Sequence, residues 1–355
     1  MTAVNQQGVM PHGVSQQAID KLVAKGVRNV WYPICPSHFL KEKPISLRRL
    51  GFKVVLWRDE AGQPVMLEDH CPHRGAPLSL GILMGDRIAC GYHGVQVRKD
   101  GTVMAVPGAP GSRLEGKRCV KSFPTQEHAG VVFAYVGDEL HPDPVELRLP
   151  EQLTSPEFSS FLCYCEWGGD YRYVYDNVMD PMHGTFLHKQ SHSMSFGDTT
   201  ASFRIRETPT GFVFEKEGQR NINFDWTEFL DTGAHWLRLE IPYPPTGGPG
   251  GNFHIVGVYT PIDERTAAVF HWRCRKVEGW QRDTWRFLYK NRLEARHWAV
   301  LEQDRVMLEQ FEPDAFLREN LYQHDMGVAR LRRVFRVKAE AQLKALEAAG
   351  HAVAR

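Results

Sequence analysis

Between Asn29 and Gly137, apolar and polar residues alternate in short runs broken by turn formers, the period-2 pattern of strands with one buried face. VVLWRDEAGQPVMLE (54–68) reads as a hairpin with AGQ as its turn, and VQVRKDGTVMAVPG (95–108) as another turning at Asp100-Gly101. The pattern changes across HPDPVELRLPEQL (141–153), a proline-rich crossing. Beyond it, DYRYVYDNVMDPMHGTFLH (170–188) has helical spacing and breaks near its end. Alternation returns in SFRIRETPTGFVFEKEG, HWLRLEIPYPP, GNFHIVGVYTPID and AAVFHWRCRKV, between 202 and 277, which predict an antiparallel sheet. From Asp283 helix formers dominate, and Leu331, Val334, Phe335, Leu343 and Leu346 share one face of a basic, amphipathic last helix that should pack through that face. The expected fold is α+β. It comprises an N-terminal arm (1–28), an all-β domain (29–145) and a domain of antiparallel sheet plus helices in a helix-grip-like arrangement (146–355).

The totals narrow the class. With 355 residues there is room for two cores. A net charge of +1 argues against a nucleic-acid binder, and no apolar run approaches the roughly 18 residues of a membrane span. The opening MTAVNQQGVMPHGVSQQ has neither the basic nor the apolar region of a secretory signal. Seven scattered cysteines without such a signal predict free thiols and a cytoplasmic setting, so a clustered pair points to metal.

Such a pair exists. Cys71-x-His73 is followed, after sixteen residues, by Cys90-x-x-His93, each half lying beside one predicted hairpin. Zinc accepts both ligand types, but zinc sites usually pair like with like, whereas here each loop supplies one thiolate and one imidazole. That mixture fits a Rieske 2Fe–2S cluster, with Cys71 and Cys90 on one iron and His73 and His93 on the other. Gly75, Gly91 and Gly94 would let the loops turn tightly, and Pro107-Gly108 could add a third covering loop.

From WYPICP (31–36) through CPHRGAPLS and CGYHG, the chain resembles the Rieske domain of the Rieske non-haem iron oxygenases. Val95 stands where that family often has Trp, a change expected to alter packing only. Ala76 and Tyr92 occupy positions where respiratory Rieske carriers have an extra cysteine, which disfavours that class; a soluble carrier without a catalytic centre would leave the second half unexplained.

The second half carries its own motif. Asn177, Asp180, His183 and His188 form N-x-x-D-x-x-H-x₄-H, matching the family's catalytic motif. Residues five apart on a helix point about 140° away from each other, so both histidines can meet one metal only if the helix distorts or ends; a π-type bulge or break near Gly184 is expected. Two imidazoles and a carboxylate make the facial triad of non-haem Fe(II) oxygenases. The resemblance places the carboxylate far downstream on a helix, and LEQDRVMLEQ (301–310) offers Asp304, with Glu302 and Glu309 as rivals.

The resemblance further implies that Asp180 bridges His183 and a neighbouring subunit's His93, in a homo-oligomer of three chains or stacked trimers. It implies O₂ chemistry on a small aromatic substrate, driven by electrons from NAD(P)H. No plant-type ferredoxin motif or dinucleotide fingerprint is present, so a separate flavin- or ferredoxin-type reductase, with or without a ferredoxin, must deliver those electrons. The compact length and RENLYQHDMGVARLRR look like the phthalate dioxygenase, phenoxybenzoate dioxygenase and vanillate O-demethylase group. The lead expectation is ring dihydroxylation of an aromatic acid or ether, with O-demethylation of a methoxy-aromatic acid as the alternative. Phe196, Asn221, Phe224, His254 and His271 are candidate pocket residues, where an Arg or His would suit a carboxylate substrate. Cys35, Cys119, Cys163, Cys165 and Cys274 fit no ligand pattern.

Overall fold

The computed structural model describes residues 14–190, 197–243, 248–312 and 314–351, so Phe196 lies outside the described residues. Eleven strands fill the first part: β1 (Val30–Pro36), β2 (Ile45–Arg49), β3 (Phe52–Arg58), β4 (Pro64–Glu68), β5 (Ile82–Met84), β6 (Arg87–Ala89), β7 (Gln96–Arg98), β8 (Val103–Ala105), β9 (Ser122–Phe123), β10 (Thr125–His128) and β11 (Val131–Val136). They build three small antiparallel sheets, ordered β1-β11-β10, β2-β3-β4-β9 and β5-β6-β7-β8. Both expected hairpins are present, as β3–β4 and β7–β8.

Seven further strands form one antiparallel sheet. They are β12 (Phe158–Gly168), β13 (Phe203–Thr208), β14 (Gly211–Lys216), β15 (Trp226–Asp231), β16 (His235–Ile241), β17 (Phe253–Asp263) and β18 (Thr266–Lys276), in the order β12-β18-β17-β16-β15-β14-β13. The helices are α1 (Gln16–Ala24), α2 (Glu151–Thr154), α3 (Tyr171–Met179), α4 (Pro181–Leu187), α5 (Gly279–Leu288), α6 (Glu294–Leu308) and α7 (Met326–Ala348). A single π turn, Tyr289–Leu293, joins α5 to α6.

Strand alternation decides what each face of the large sheet touches. Ala268, Phe270, Trp272 and Cys274 of β18 point to the back face and pack with Trp31 and Phe133 of the first part. Burying a side chain such as Phe133 or Phe270 there is worth about 1.5–3 kcal/mol. Hydrogen bonds fix the register of the two parts: Trp31 N to Gly233 O at 2.7 Å and Thr260 Oγ1 to Pro33 O at 2.7 Å. The alternate residues of β18 face the helices, and among them are His271 and Arg273.

Several elements went unread in the sequence. α1, in the segment taken as an arm, is a nine-residue helix capped by Ser15 that packs on α7. Strands β12 and β15 carry polar residues mid-strand that obscure their alternation. The break in the 170–188 helix falls at Asp180, not near Gly184. Asp180 precedes Pro181, whose ring disfavours helical geometry in the residue before it, and Asp180 is extended at φ −95°, ψ 100°. The chain restarts with Pro181 at the first helical position and the Asp180 side chain as its cap, accepting from Met182 N at 2.7 Å. Gly184 sits inside α4, and His188 is the residue at which α4 unwinds.

Candidate metal centres and active site

The two loops that carry the first motif are one turn used twice. Cys71 N donates to Ala76 O at 2.7 Å and Gly75 N to Cys71 O at 2.8 Å; Cys90 N donates to Val95 O at 2.8 Å and Gly94 N to Cys90 O at 2.9 Å. Gly75 and Gly94 close them at φ +74° and +72°, a region costly for residues with a Cβ. Pro107 sits against Gly94, as expected of a third covering loop. The cysteines are buried side by side, burial pushing the Cys71 thiol up, while the rings of His73 and His93 are exposed with centroids 4.8 Å apart. These four side chains do not converge as a single-ion site; among the described residues, only His183, His188 and Asp304 do so. A thiolate end buried and an imidazole end at the surface suit a two-iron cluster that exchanges electrons through its histidines.

The second motif is assembled from three elements. His183 lies in the first turns of α4, His188 at its unwound end, and Asp304 on α6; their ligand atoms all lie within 4.8 Å of one another. Each ring has its other nitrogen occupied. His183 Nδ1 meets Asp180 O at 2.5 Å and His188 Nδ1 meets Gln303 Oε1 at 2.9 Å, so both Nε2 atoms face Asp304 Oδ1, at 3.6 and 3.2 Å. Neither approach has hydrogen-bond geometry, which leaves Oδ1 a buried carboxylate oxygen without a donor. Burial opposes charge on Asp304, yet His188, His183 and Asn177 outweigh it and hold the carboxyl below its ordinary range. For His188 burial again opposes, and Asp304 with Gln303 raises the ring above its ordinary value. An orphaned carboxylate oxygen facing two oriented imidazoles fits a divalent iron with open positions. Glu302 and Glu309 face elsewhere: both pair with Arg305, and Glu309 also accepts from Gly168 N at 2.8 Å.

Asp180 reaches neither Asp304 nor the cluster loops within this chain. Burial raises its pKa, and its side chain keeps 25% of its accessible area. The cavity at the triad measures about 700 Å³ and is walled by Phe224, Leu239, Ile241, Phe253, Leu293 and Leu301. Among the candidate pocket residues, Phe224 and His271 line it, and His271 Nε2 bonds Tyr259 OH at 2.7 Å. His254 faces the other side of β17, edge-on to Phe158, and Asn221 is exposed beside Asn252; neither lines the cavity. Sequence reasoning missed Gln303, Arg273 and His297. The signal available for Arg273 was a polar residue two positions from His271 in an otherwise apolar strand. A larger cleft of about 920 Å³, bordered by β9, β10 and the end of α7, holds no convergent ligand set among the described residues.

Comparisons with known proteins agree with this arrangement. Residues 30–124 match the family described as Rieske [2Fe-2S] domain, and residues 167–341 match the Vanillate O-demethylase oxygenase C-terminal domain. The chain is 35% identical over 164 residues to a vanillate O-demethylase oxygenase subunit of Pseudomonas sp. (strain HR199 / DSM 7063), covering 46% of each. It is 34% identical over 196 residues to the phenoxybenzoate dioxygenase subunit alpha of Ectopseudomonas oleovorans, covering 50% of this chain and 48% of that one. These matches span about half the length of either relative. The structure of dicamba monooxygenase bound to 3,6 dichlorosalicylic acid shares the fold, with a TM-score of 0.70 at 20% identity over 89% of this chain and 98% of that one. Carrying the Rieske domain and the oxygenase C-terminal domain in that order, the chain belongs to the Rieske non-haem iron oxygenases.

Proposed function

We propose that this chain is the terminal oxygenase component of a multi-component system, receiving NAD(P)H-derived electrons through a separate reductase and oxygenating a small aromatic substrate with O₂. The observation that carries this reading is the His183–His188–Asp304 cluster, with its donorless buried oxygen, opening into an apolar cavity in a chain that also bears the paired Cys/His loops. Cys71, His73, Cys90 and His93 would hold the 2Fe–2S cluster, and His183, His188 and Asp304 a mononuclear iron. The cluster and iron would supply single-electron transfer and oxygen activation.

The protein's own share is positional. Asp180 O and Gln303 fix the ring orientations, Asn177 supports Asp304, and the aliphatic and aromatic walls exclude water from the reacting face. Asp180, partly exposed and one turn before His183, suits the bridging role toward a neighbour's His93, which makes a homo-oligomer of three or stacked threes part of the reading. Residues 29–145 would then be the electron-receiving domain and 146–355 the catalytic one, working in the cytoplasm; no described helix is long and apolar enough to cross a membrane.

The C-terminal domain match and the vanillate relative favour hydroxylation of a methoxy carbon, which leaves as formaldehyde. Ring dihydroxylation stands as the second reading, favoured by the phenoxybenzoate relative. Metal analysis of anaerobically purified protein tests the class: about three irons and two acid-labile sulfides per chain are expected. A single zinc per chain, with no labile sulfide, would contradict it.

A further inference from the structure

The cavity is not uniformly apolar. Arg273, in the middle of β18, is only 3% exposed, and it lines the same space as the His–Asp cluster. Its partners are neutral: Tyr289 OH at 3.4 Å, His297 O at 3.0 Å, and the Trp298 ring at 5.6 Å. Among the described residues no carboxylate lies within ion-pair distance of it. A buried cation without a counter-ion is costly, and proteins retain one chiefly where something completes it. Around it the cavity is basic. Arg292 and Arg296 line it from the exposed side, the first placed by the π turn that interrupts the α5–α6 wall, and such turns concentrate at functional positions. Burial first, then Arg273 and Arg275, push His297 down to about 3, so that ring is neutral; its Nδ1 is buried without a partner, while Nε2 meets Tyr243 OH at 3.2 Å.

The spacing sets the size of what fits. His297, Leu301 and Asp304 lie on one face of α6, and the seven-residue step from His297 to Asp304 corresponds to about 10 Å along the axis. The stretch between is apolar, with Val300 and Leu301 from α6 and Phe253 and Ile255 from the sheet. Arg273, bonded to the His297 carbonyl, therefore stands about two helical turns from the metal-ligating carboxylate.

We propose that Arg273 is the specificity-determining anchor for a carboxylate on the substrate, holding a single-ring aryl acid with its anionic end at Arg273 and its opposite end at the His183–His188–Asp304 cluster. A guanidinium matches a carboxylate with two parallel hydrogen bonds, and the neutral His297 ring lines the same cavity beside it. The proposal rests on the reading of this cavity as the oxygenase's substrate site.

Binding without turnover tests it. The oxidised holoprotein is titrated calorimetrically with 4-methoxybenzoate and with 4-methoxybenzamide, which has the same shape and no charge. The wild type is expected to bind the acid at least tenfold more tightly than the amide. Arg273→Met should abolish that preference, weakening the acid tenfold or more and leaving the amide within about twofold, and Arg273→Lys should restore part of it. Should Arg273→Met fail to retain the cluster's visible absorption, the exposed Arg296→Gln serves instead, with a twofold to fivefold loss confined to the acid. Equal binding of acid and amide by the wild type, or an undiminished preference in a folded Arg273→Met, overturns the anchor. Because no electrons are supplied, this outcome is independent of whether the protein oxygenates, which product analysis with a reductase decides separately.

Discussion

Asp180 and Asp304 are both shielded acids beside His183, and their surroundings assign them different work. Asp304 is held ionised by two imidazoles, while burial raises Asp180, which spends its oxygens on the Met182 and His183 amides. Asp304→Ala should therefore empty the mononuclear site and leave the cluster intact, read as loss of about one iron per chain with unchanged labile sulfide and visible spectrum. Asp180→Asn keeps the cap, because an amide oxygen also accepts from the backbone, so both metals should stay bound. Product formed per reduced cluster is nevertheless expected to fall by about 10–100-fold, because the proposed bridge to a neighbouring subunit's His93 loses its carboxylate while His183 keeps the Asp180 carbonyl. Undiminished product yield would exclude the bridging role. The paired Cys/His loops and the His183–His188 pair were legible because their spacing is a chemical constraint, whereas Asp304, which the fold brings to those two rings, was singled out among neighbouring acids only through the resemblance. Gln303 and Arg273 were not, since a lone Gln or Arg in sequence carries no sign of what faces it across the fold.

At the scale of elements, glycines mark where backbone must approach closely. Gly94 turns the second cluster loop at φ +72°, and a Cβ there would meet Pro107 Cγ at 3.4 Å, an ordinary contact, so the cost lies in the left-handed backbone. Gly94→Ala should destabilise the protein by about 1–2 kcal/mol and lower cluster occupancy, measured by denaturant midpoint and sulfide content. On β17, Gly257 faces His271, and a Cβ would stand 2.4 Å from Tyr259 OH. Gly257→Ala should break the Tyr259–His271 bond, cost about 1–3 kcal/mol and weaken substrate binding. The hairpins and strands β17 and β18 were readable from alternation, and the last helix from its apolar stripe, whose Leu331, Phe335 and Leu343 are buried. The helix break was expected in the right segment for a geometric reason, yet placed four residues late. The local chemistry of Asp180-Pro181 decides it, and the two histidines converge because the second sits where α4 unwinds, not because a bulge separates them. The π turn occurs instead in the opposite wall, beside Arg292.

For the whole molecule, buried imidazoles couple titration to stability. His235, His271 and His297 are driven low chiefly by burial, with neighbouring Lys338 or Arg273 adding to it; His271 and His297 fall to about 3. A ring depressed in the folded state is neutral there while the unfolded chain still binds the proton, so stability is full above the unfolded value near 6.5 and falls as pH drops toward 3. Each well-buried ring should contribute a loss on the order of 1 kcal/mol per pH unit in that window, visible as a falling denaturant midpoint between pH 6 and pH 4. A midpoint that rises on acidification would contradict the assignment. The packing of Trp31 and Phe133 against the back of the large sheet makes the cluster-bearing part and the catalytic part share one hydrophobic seam, so their unfolding should be a single transition.

The most direct test of the oxygenase reading is a single turnover under ¹⁸O₂. The holoprotein is reduced chemically, given a panel of methoxy- and unsubstituted aryl acids, and followed for product mass and formaldehyde. The expected result is reoxidation of the cluster coupled to product: for demethylation an unlabelled phenol with formaldehyde that carries the one labelled atom and is trapped before it exchanges with water, for dihydroxylation a ring diol with two labelled atoms. Reoxidation with both metals in place and neither formaldehyde, demethylated product nor labelled diol from any member of the panel would contradict it, and would leave the chain an electron carrier.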